Sequence, residues 1–379
     1  MIKSFHISGF KIFPKLDIPR LGSLNLFVGK NNTGKSCLLE AIELYASSSP
    51  WDVLRVATRR DPDNIRRNRM GRYDIHEMDV SFNQLINLFH REHGKLLKPT
   101  IQLSADNPKS DLKLHCEQFI DNFLNLEMNI SEINNPESRI QRKRSSLFLE
   151  ANFEISRGKE KINVNLNENS FRRQLLLEDS LKKEEWLHPD VAPVAFLPAR
   201  GFNNNETKRL WDKASLIDQD ELLYDLLKFI EPEIRDLRYI SDSENSIDLP
   251  YLKINDYKGR ISLSSMGDGL TRLFHIGLAM ANASRGILLI DEFENGLHWE
   301  VQLQLWKALF KTAEKFGVQV FVTTHSNDCI QSFIQSQNDK LIPDQSYVYR
   351  LERNGDDINA HEFTAQGLEA AIRQGIEVR

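Results

Sequence analysis

The sequence predicts an α/β fold with a mixed sheet, and three observations carry that prediction. The stretch GKNNTGKS, Gly29 to Ser36, has the spelling of a phosphate-binding loop, two glycines flanking four residues and then Lys and Ser. The runs Leu24–Val28, Gly286–Ile290 and Val318–Thr324 are short, apolar and bounded by polar residues, as buried strands are. Directly after the loop, Leu38, Leu39, Ile42 and Ala46 recur at helical spacing, so the loop joins a strand to a helix.

In chain order, Ile2, Phe5, Ile7 and Phe10, then Ile12, Phe13 and Ile18, predict two strands and a turn ahead of the Leu24 strand. The loop follows. A chain that wraps a phosphate chain must turn successive backbone N–H groups inward, and Gly29 and Gly34 permit a backbone that a side chain would block. Asn31, Asn32 and Thr33 form the body of the loop, Lys35 supplies a cation for terminal phosphates, and Ser36 opens a helix with its hydroxyl placed for Mg²⁺.

Between Arg55 and Arg72 stand Arg59, Arg60, Arg66, Arg67 and Arg69. Such a run is either a solvated face or a surface for nucleic acid or another anionic partner. Alternation at Ile101–Leu103, Leu147–Ile155 and Ile162–Leu166 predicts an antiparallel subdomain. Asn134-Asn135-Pro136, Arg142-Lys143-Arg144 and Arg157-Gly158-Lys159 read as exposed loop and turn. Val194–Leu197 is a short strand that ends at Pro198 and leaves Arg200 at its C-terminal end, where open α/β sheets bind ligands. From Glu206 to Arg238, apolar residues including Leu210, Leu223, Leu227, Ile230, Ile234 and Leu237 recur at three and four, which predicts helix. Ser265, Gly267 and Gly269 form a second glycine-containing turn that opens onto a helix. The Gly286 strand ends in Asp291-Glu292. Two carboxylates there are costly without partners or work, and they suit a metal ligand and a general base respectively. The Val318 strand ends at His325-Ser326, and Tyr347–Leu351 and Leu368–Ile372 predict a last strand and helix.

Composition narrows the classes. In 379 residues, 40% are hydrophobic and 27% charged, which is ordinary for a globular chain. The formal charge of −5 supplies no global basic field. Cys37, Cys116 and Cys329 are odd in number and unpatterned, so free thiols in a cytoplasmic protein are expected, with neither disulfide nor metal framework. No apolar run approaches the ~20 residues that span a bilayer, so no membrane role is expected.

Taken together, IKSFHISGFKIFPKLDI, LNLFVGKNNTGKSCLLEAI, LSSMGDGLTRLF, GILLIDEFENGLH and VQVFVTTHS resemble the ABC-type ATPases of the SMC, RecF and OLD group in content and order. The resemblance spans most of the chain. It implies an ABC-type P-loop ATPase head, with residues 1–200 as an N-terminal lobe carrying the loop and an antiparallel β subdomain. Residues 201–285 would be a helical lobe ending in the signature motif, and 286–379 a C-terminal lobe with the Walker B acids, D-loop and switch histidine. It implies ATP and Mg²⁺, with Ser265, Gly267 and Gly269 closing the site of another chain in a homodimer or higher oligomer. It implies Gln84 as a glutamine-loop residue near the metal, an ordinary helix position being the alternative, and His325 at the γ-phosphate. Cys37 departs from the usual Ser or Thr at the α-phosphate contact, and His298 departs from the aspartate of transporters, so that DEFENGLH resembles the OLD and RecF-related branch. The absence of a long heptad run separates the chain from full SMC proteins. The 54 residues after His325 leave no room for a fused nuclease domain, so the expected role is an ATPase switch in anti-phage defence that controls a separate effector nuclease, a RecF-like DNA-repair ATPase being the alternative.

Overall fold

In a computed structural model the described residues are 1–47, 50–59, 82–91, 99–106, 111–116, 151–158, 160–166, 192–217, 223–224, 226–228, 231–242, 247–255, 257–338, 346–374 and 378. Two six-stranded sheets and one three-stranded sheet make up the β structure. The first is antiparallel throughout, with β1 Phe5–Phe10, β2 Phe13–Ile18, β4 Thr100–Ala105, β5 Leu112–Cys116, β6 Ala151–Arg157 and β7 Glu160–Leu166 in the order β2-β1-β4-β5-β6-β7. The second is mixed, with β3 Leu24–Val28, β8 Val194–Leu197, β12 Ile287–Ile290, β13 Gln319–Thr324, β14 Ser346–Asn354 and β15 Asp357–Phe363 in the order β15-β14-β3-β13-β12-β8. Only the β14–β15 pair is antiparallel there.

Alternation along the mixed sheet divides the interior in two. Phe27, Ile287, Leu289, Phe321 and Tyr349 point to one side, where α1, Lys35–Tyr45, and the antiparallel sheet cover them. Leu26, Val28, Leu288, Ile290, Val320 and Val322 point to the other. Helices α5, Asp268–Asn282, α6, Trp299–Phe316, and α7, Asn327–Asn338, pack on that second side. Phe27 stacks between Phe321 and Tyr349, with centroids 6.5 and 5.9 Å away, so strands β13, β3 and β14 are pinned in register by one row of aromatics. The parallel register aligns Val28 with Thr324, and Val322 with Ile290. The loop after β3, the acids after β12 and the histidine after β13 therefore leave the same edge.

Several elements differ from expectation. Helix α2, Pro50–Thr58, holds the start of the arginine run, and Arg60, Arg66, Arg67, Arg69 and Arg72 lie outside the described residues. So do Leu147–Glu150, Asn134–Pro136 and Arg142–Arg144. Arg157 is no exposed turn residue: it is buried and donates to the Tyr45 carbonyl at 2.8 Å, tying β6 to the end of α1. The stretch expected to be helical from Glu206 is helical over α4, Asn204–Leu216, but Ile234 and Leu237 belong to β9, Ile234–Asp242. Strand β9 pairs with β10, Ile247–Ile254, which pairs with β11, Ile261–Ser262. The cause is a bulge: Leu252 faces Leu237 and Ile254 faces Ile234, so one strand spends three residues where the other spends two. Two inward side chains three apart then imitate helical spacing.

Candidate functional site

Helix α1 begins at the loop with Gly34 as its N-cap, at φ 91°, and no side-chain hydrogen bond caps it. A Cβ on Gly34 would lie 2.5 Å from Ile12 Cδ1 and 2.7 Å from Phe13 Cζ, so the β1–β2 turn presses directly on the loop and only glycine fits. Thr33 turns inward, its hydroxyl donating to the Lys30 carbonyl at 2.9 Å, while Asn31 and Asn32 are exposed at the tip. Lys35 is buried, and its ammonium donates to the Gly29 and Lys30 carbonyls at 2.7 and 2.8 Å. Burial pushes its pKa down, while the charges of Glu292, Asp291 and Glu294 oppose that shift. A buried cation answered by carbonyls, beside a helix N-terminus that no side chain occupies, fits a polyphosphate.

The acids close the other side. Asp291 Oδ1 accepts from Ser36 Oγ at 2.9 Å and from Thr323 Oγ1 at 2.7 Å. Serine and aspartate, 255 positions apart, are thus brought together as a pair of hard oxygen donors, which suits Mg²⁺ completed by phosphate and water. Burial raises the Asp291 carboxyl above its ordinary range, although Thr323 and Ser36 donate to it. A carboxyl whose pKa is raised by folding holds its proton more tightly in the native state, so this group costs stability as pH rises through its folded value. Asp291→Asn should therefore raise the thermal midpoint of the metal-free protein and abolish any further rise on adding Mg²⁺ and nucleotide. Thermal melts with and without Mg²⁺ check both halves, and a normal Mg²⁺-dependent rise in the variant would remove Asp291 from the metal site.

Glu292 sits at φ 49°, a left-handed conformation that costs a non-glycine residue roughly 1–2 kcal/mol. The surroundings impose it. The Glu292 N–H donates to Thr323 Oγ1 at 2.9 Å, the Phe293 N–H donates to the Thr323 carbonyl at 3.0 Å, and Arg272 Nη2 donates to the Glu292 carbonyl at 2.9 Å. The carboxylate accepts from Asn295 Nδ2 at 2.8 Å, and that amide also donates to the Ala199 carbonyl at 3.2 Å. His325 Nδ1 lies 3.2 Å from Glu294 and 3.9 Å from Glu292, and the His325 N–H donates to Glu294 Oε1 at 2.9 Å. Glu294, unnoticed in the sequence, is thus the group that positions the histidine.

Arg272 was also missed. Buried on α5, it donates to the carbonyls of Pro198, at the end of β8, and of Asp291 and Glu292, at the end of β12. Burial lowers its pKa to about 10, opposed by the Asp291 charge, so it stays protonated at neutral pH. The available signal was α5 itself, apolar almost all round, which marks any charge on it as buried. One turn later on the same helix, burial pushes His275 down to about 3, where it is neutral and accepts from the Phe202 N–H at 3.4 Å.

Ser265 lies in the 3-10 turn Leu263–Met266, Gly267 is the N-cap of α5, and Gly269 follows in its first turn. Ser265 and Gly267 are exposed, a Cβ on Gly267 would meet nothing within 4 Å, and no side-chain hydrogen bond caps α5. A Cβ on Gly296 would stand 3.3 Å from Asp268 Cβ, so the Asn295-Gly296 turn lies directly against the start of α5. Gln84, on α3, Phe82–Ile86, lines a cavity of about 540 Å³ with Cys37, Lys11 and Arg353. Cys37, in the first turn of α1, stands on the same cavity. Arg200 pairs with Glu206 at 3.5 Å on the far side of the β8 end. Arg55 and Arg59 both reach the buried Glu43, at 3.1 and 2.5 Å.

Residues 24–328 match the family described as "AAA domain, putative AbiEii toxin, Type IV TA system". The chain belongs to this family. It is 24% identical over 392 residues to an "ATP/GTP phosphatase" of Helicobacter pylori, covering 97% of each chain. Among solved structures it is similar to an Smc head bound to the C-winged helix domain of ScpA, with 12% identity, a TM-score of 0.49 and coverage of 98% of this chain and 99% of that one. An SMC head domain from Thermotoga maritima has 10% identity and a TM-score of 0.44, with coverage of 96% and 99%. No helix among the described residues is long and apolar enough to cross a membrane.

Proposed function

We propose that this chain is a Mg²⁺-dependent ATPase whose nucleotide state switches a separate effector, a nuclease, in anti-phage defence. The pairing of Ser36 with Asp291 at 2.9 Å, beside buried Lys35, carries the hydrolytic part of that reading. Lys35 and the loop amides hold the phosphates, and Ser36 and Asp291 hold the metal. Glu292 accepts the proton of the attacking water, and His325, steadied by Glu294, faces the γ-phosphate. When bound, Mg²⁺ offsets the charge that develops on the phosphoryl oxygens. The family's description and the name of the Helicobacter pylori relative support nucleotide hydrolysis. The defence role rests on the OLD-like D-loop, Asn295 to His298, and on the toxin system named in the family's description.

Exposure of Ser265 and Gly267 supports a site completed by a second copy, as does Trp299, 60% exposed at the start of α6 beside the D-loop. The Ser265 turn would supply anion-binding N–H groups to the partner's nucleotide. A Lys35→Ala chain and a Ser265→Arg chain, each inactive alone, should regain hydrolysis when mixed, because each heterodimer contains one intact composite site. Phosphate release from the mixture measures this; heterodimers that form without regaining activity would place the whole site within one chain. A pull-down under ATP should recover the effector with Glu292→Gln, and recovery independent of nucleotide would contradict the switch.

A further inference from the structure

A second cavity, of about 400 Å³, lies outside the loop site along β8, the last strand of the mixed sheet. Val194, Ala195 and Phe196 of β8 form its floor, the end of α2 one wall and α4 the other. The walls are lined by cations in register. Arg55 and Arg59 are four residues apart, Arg209 and Lys213 are four apart on one row of α4, and Arg200 stands at the end of the groove. Three carboxylates answer these five cations, Glu43 and Glu206 within the lining and Asp52, which pairs with Arg55 at 2.7 Å. Burial would raise the pKa of Glu43, but the Arg59 and Arg55 guanidiniums outweigh it and keep that carboxylate ionised. Glu206 closes a capping box on Asn203 and reaches Arg200. Two positive charges stay unbalanced, those of Arg209 and Lys213, which make no ion pair among the described residues. The Arg59 guanidinium lies over the Phe196 ring at 3.7 Å while its edge is held by Glu43, so the α2 wall of the groove is fixed in place.

We propose that this groove binds a phosphorylated small molecule of mononucleotide size, and that the ligand acts on hydrolysis through the Pro198–Arg200 turn. Size and charge select the class. The volume is at the scale of one small ligand, and an excess of two positive charges matches a phosphate or pyrophosphate group, which arginine forks bind bidentately. The link to the acids is direct: Pro198 and Arg200 line the groove, the Pro198 carbonyl accepts from Arg272, and the Ala199 carbonyl accepts from Asn295, which also holds the Glu292 carboxylate. A phosphate drawn onto Arg200 pulls on the turn that orients Glu292. The binding claim is independent of the hydrolysis reading, and the coupling claim rests on it.

The test titrates AMP, inorganic pyrophosphate and, separately, a short single-stranded DNA into the full Lys35→Ala chain by calorimetry. Glu292→Gln with its loop filled by ATP serves as a second background. AMP or pyrophosphate should bind, and Arg209→Glu combined with Lys213→Glu, both on the exposed face of α4, should weaken binding by at least about tenfold with an unchanged melting temperature. AMP alone binding would mark a nucleotide, and pyrophosphate alone a polyphosphate. No binding in either background, equal binding by the charge-reversed chain, or binding of DNA in place of both small ligands would overturn the site. In the chain with its loop intact, AMP should change the rate of ATP hydrolysis and should not do so after the charge reversal; binding with no rate change would overturn the coupling.

Discussion

Glu292→Gln should lower ATP hydrolysis by roughly 10²–10⁴-fold while leaving ATP bound. Glutamine keeps the length and the hydrogen-bonding plane of glutamate, so Asn295 retains an acceptor and the left-handed turn remains held by Thr323, Phe293 and Arg272. What is lost is the carboxylate proposed to accept the proton of water. Filter binding should therefore show retained or tighter ATP, and phosphate release should collapse. Unchanged turnover would remove Glu292 from the role of base, and loss of binding together with turnover would mean that the substitution had disturbed the fold.

The largest effect on stability is expected at Trp306. It is fully buried between Phe293, stacked at 4.0 Å, Phe310 at 5.8 Å and the edge of Phe333 at 5.1 Å, and its indole N–H donates to Ser332 at 3.1 Å. Trp306→Ala should cost about 3–5 kcal/mol from lost burial and the cavity left behind. Phe293 follows Glu292 directly, so the same substitution frees the residue that anchors the acid corner from below. Urea unfolding followed by circular dichroism should show a lower midpoint, and hydrolysis should fall at temperatures where the variant is still folded. Trp306→Phe should recover most of both. An unchanged midpoint for Trp306→Ala would contradict the packing described for α6.

The parts legible in the sequence were those whose physics is local. The loop from Gly29 to Ser36 must be written contiguously because consecutive amides have to converge, and the strands around it are short apolar runs because both faces are covered. Arg272 was not legible, since its partners are carbonyls 74 and 19 positions away and carbonyls have no sequence signature. Glu43 hid the fate of Arg55 and Arg59 in the same way: an arginine run looks solvated until the buried acid behind it is known. The bulge in β9 shows a different failure, in which Ile234 and Leu237 satisfy a helical period for a reason that belongs to a strand. Strand β5 was missed although its signal is local: Leu112, Leu114 and Cys116 alternate with Lys113 and His115 and are buried as that alternation requires.

The most direct test of the account is phosphate release from ATP by the purified chain, with and without Mg²⁺, set beside Lys35→Ala. The geometry predicts hydrolysis that depends on Mg²⁺ and is lost in Lys35→Ala along with ATP binding, because that ammonium, held by the Gly29 and Lys30 carbonyls, is the cation the loop turns toward the terminal phosphates. Hydrolysis by Lys35→Ala at the wild-type rate would contradict it.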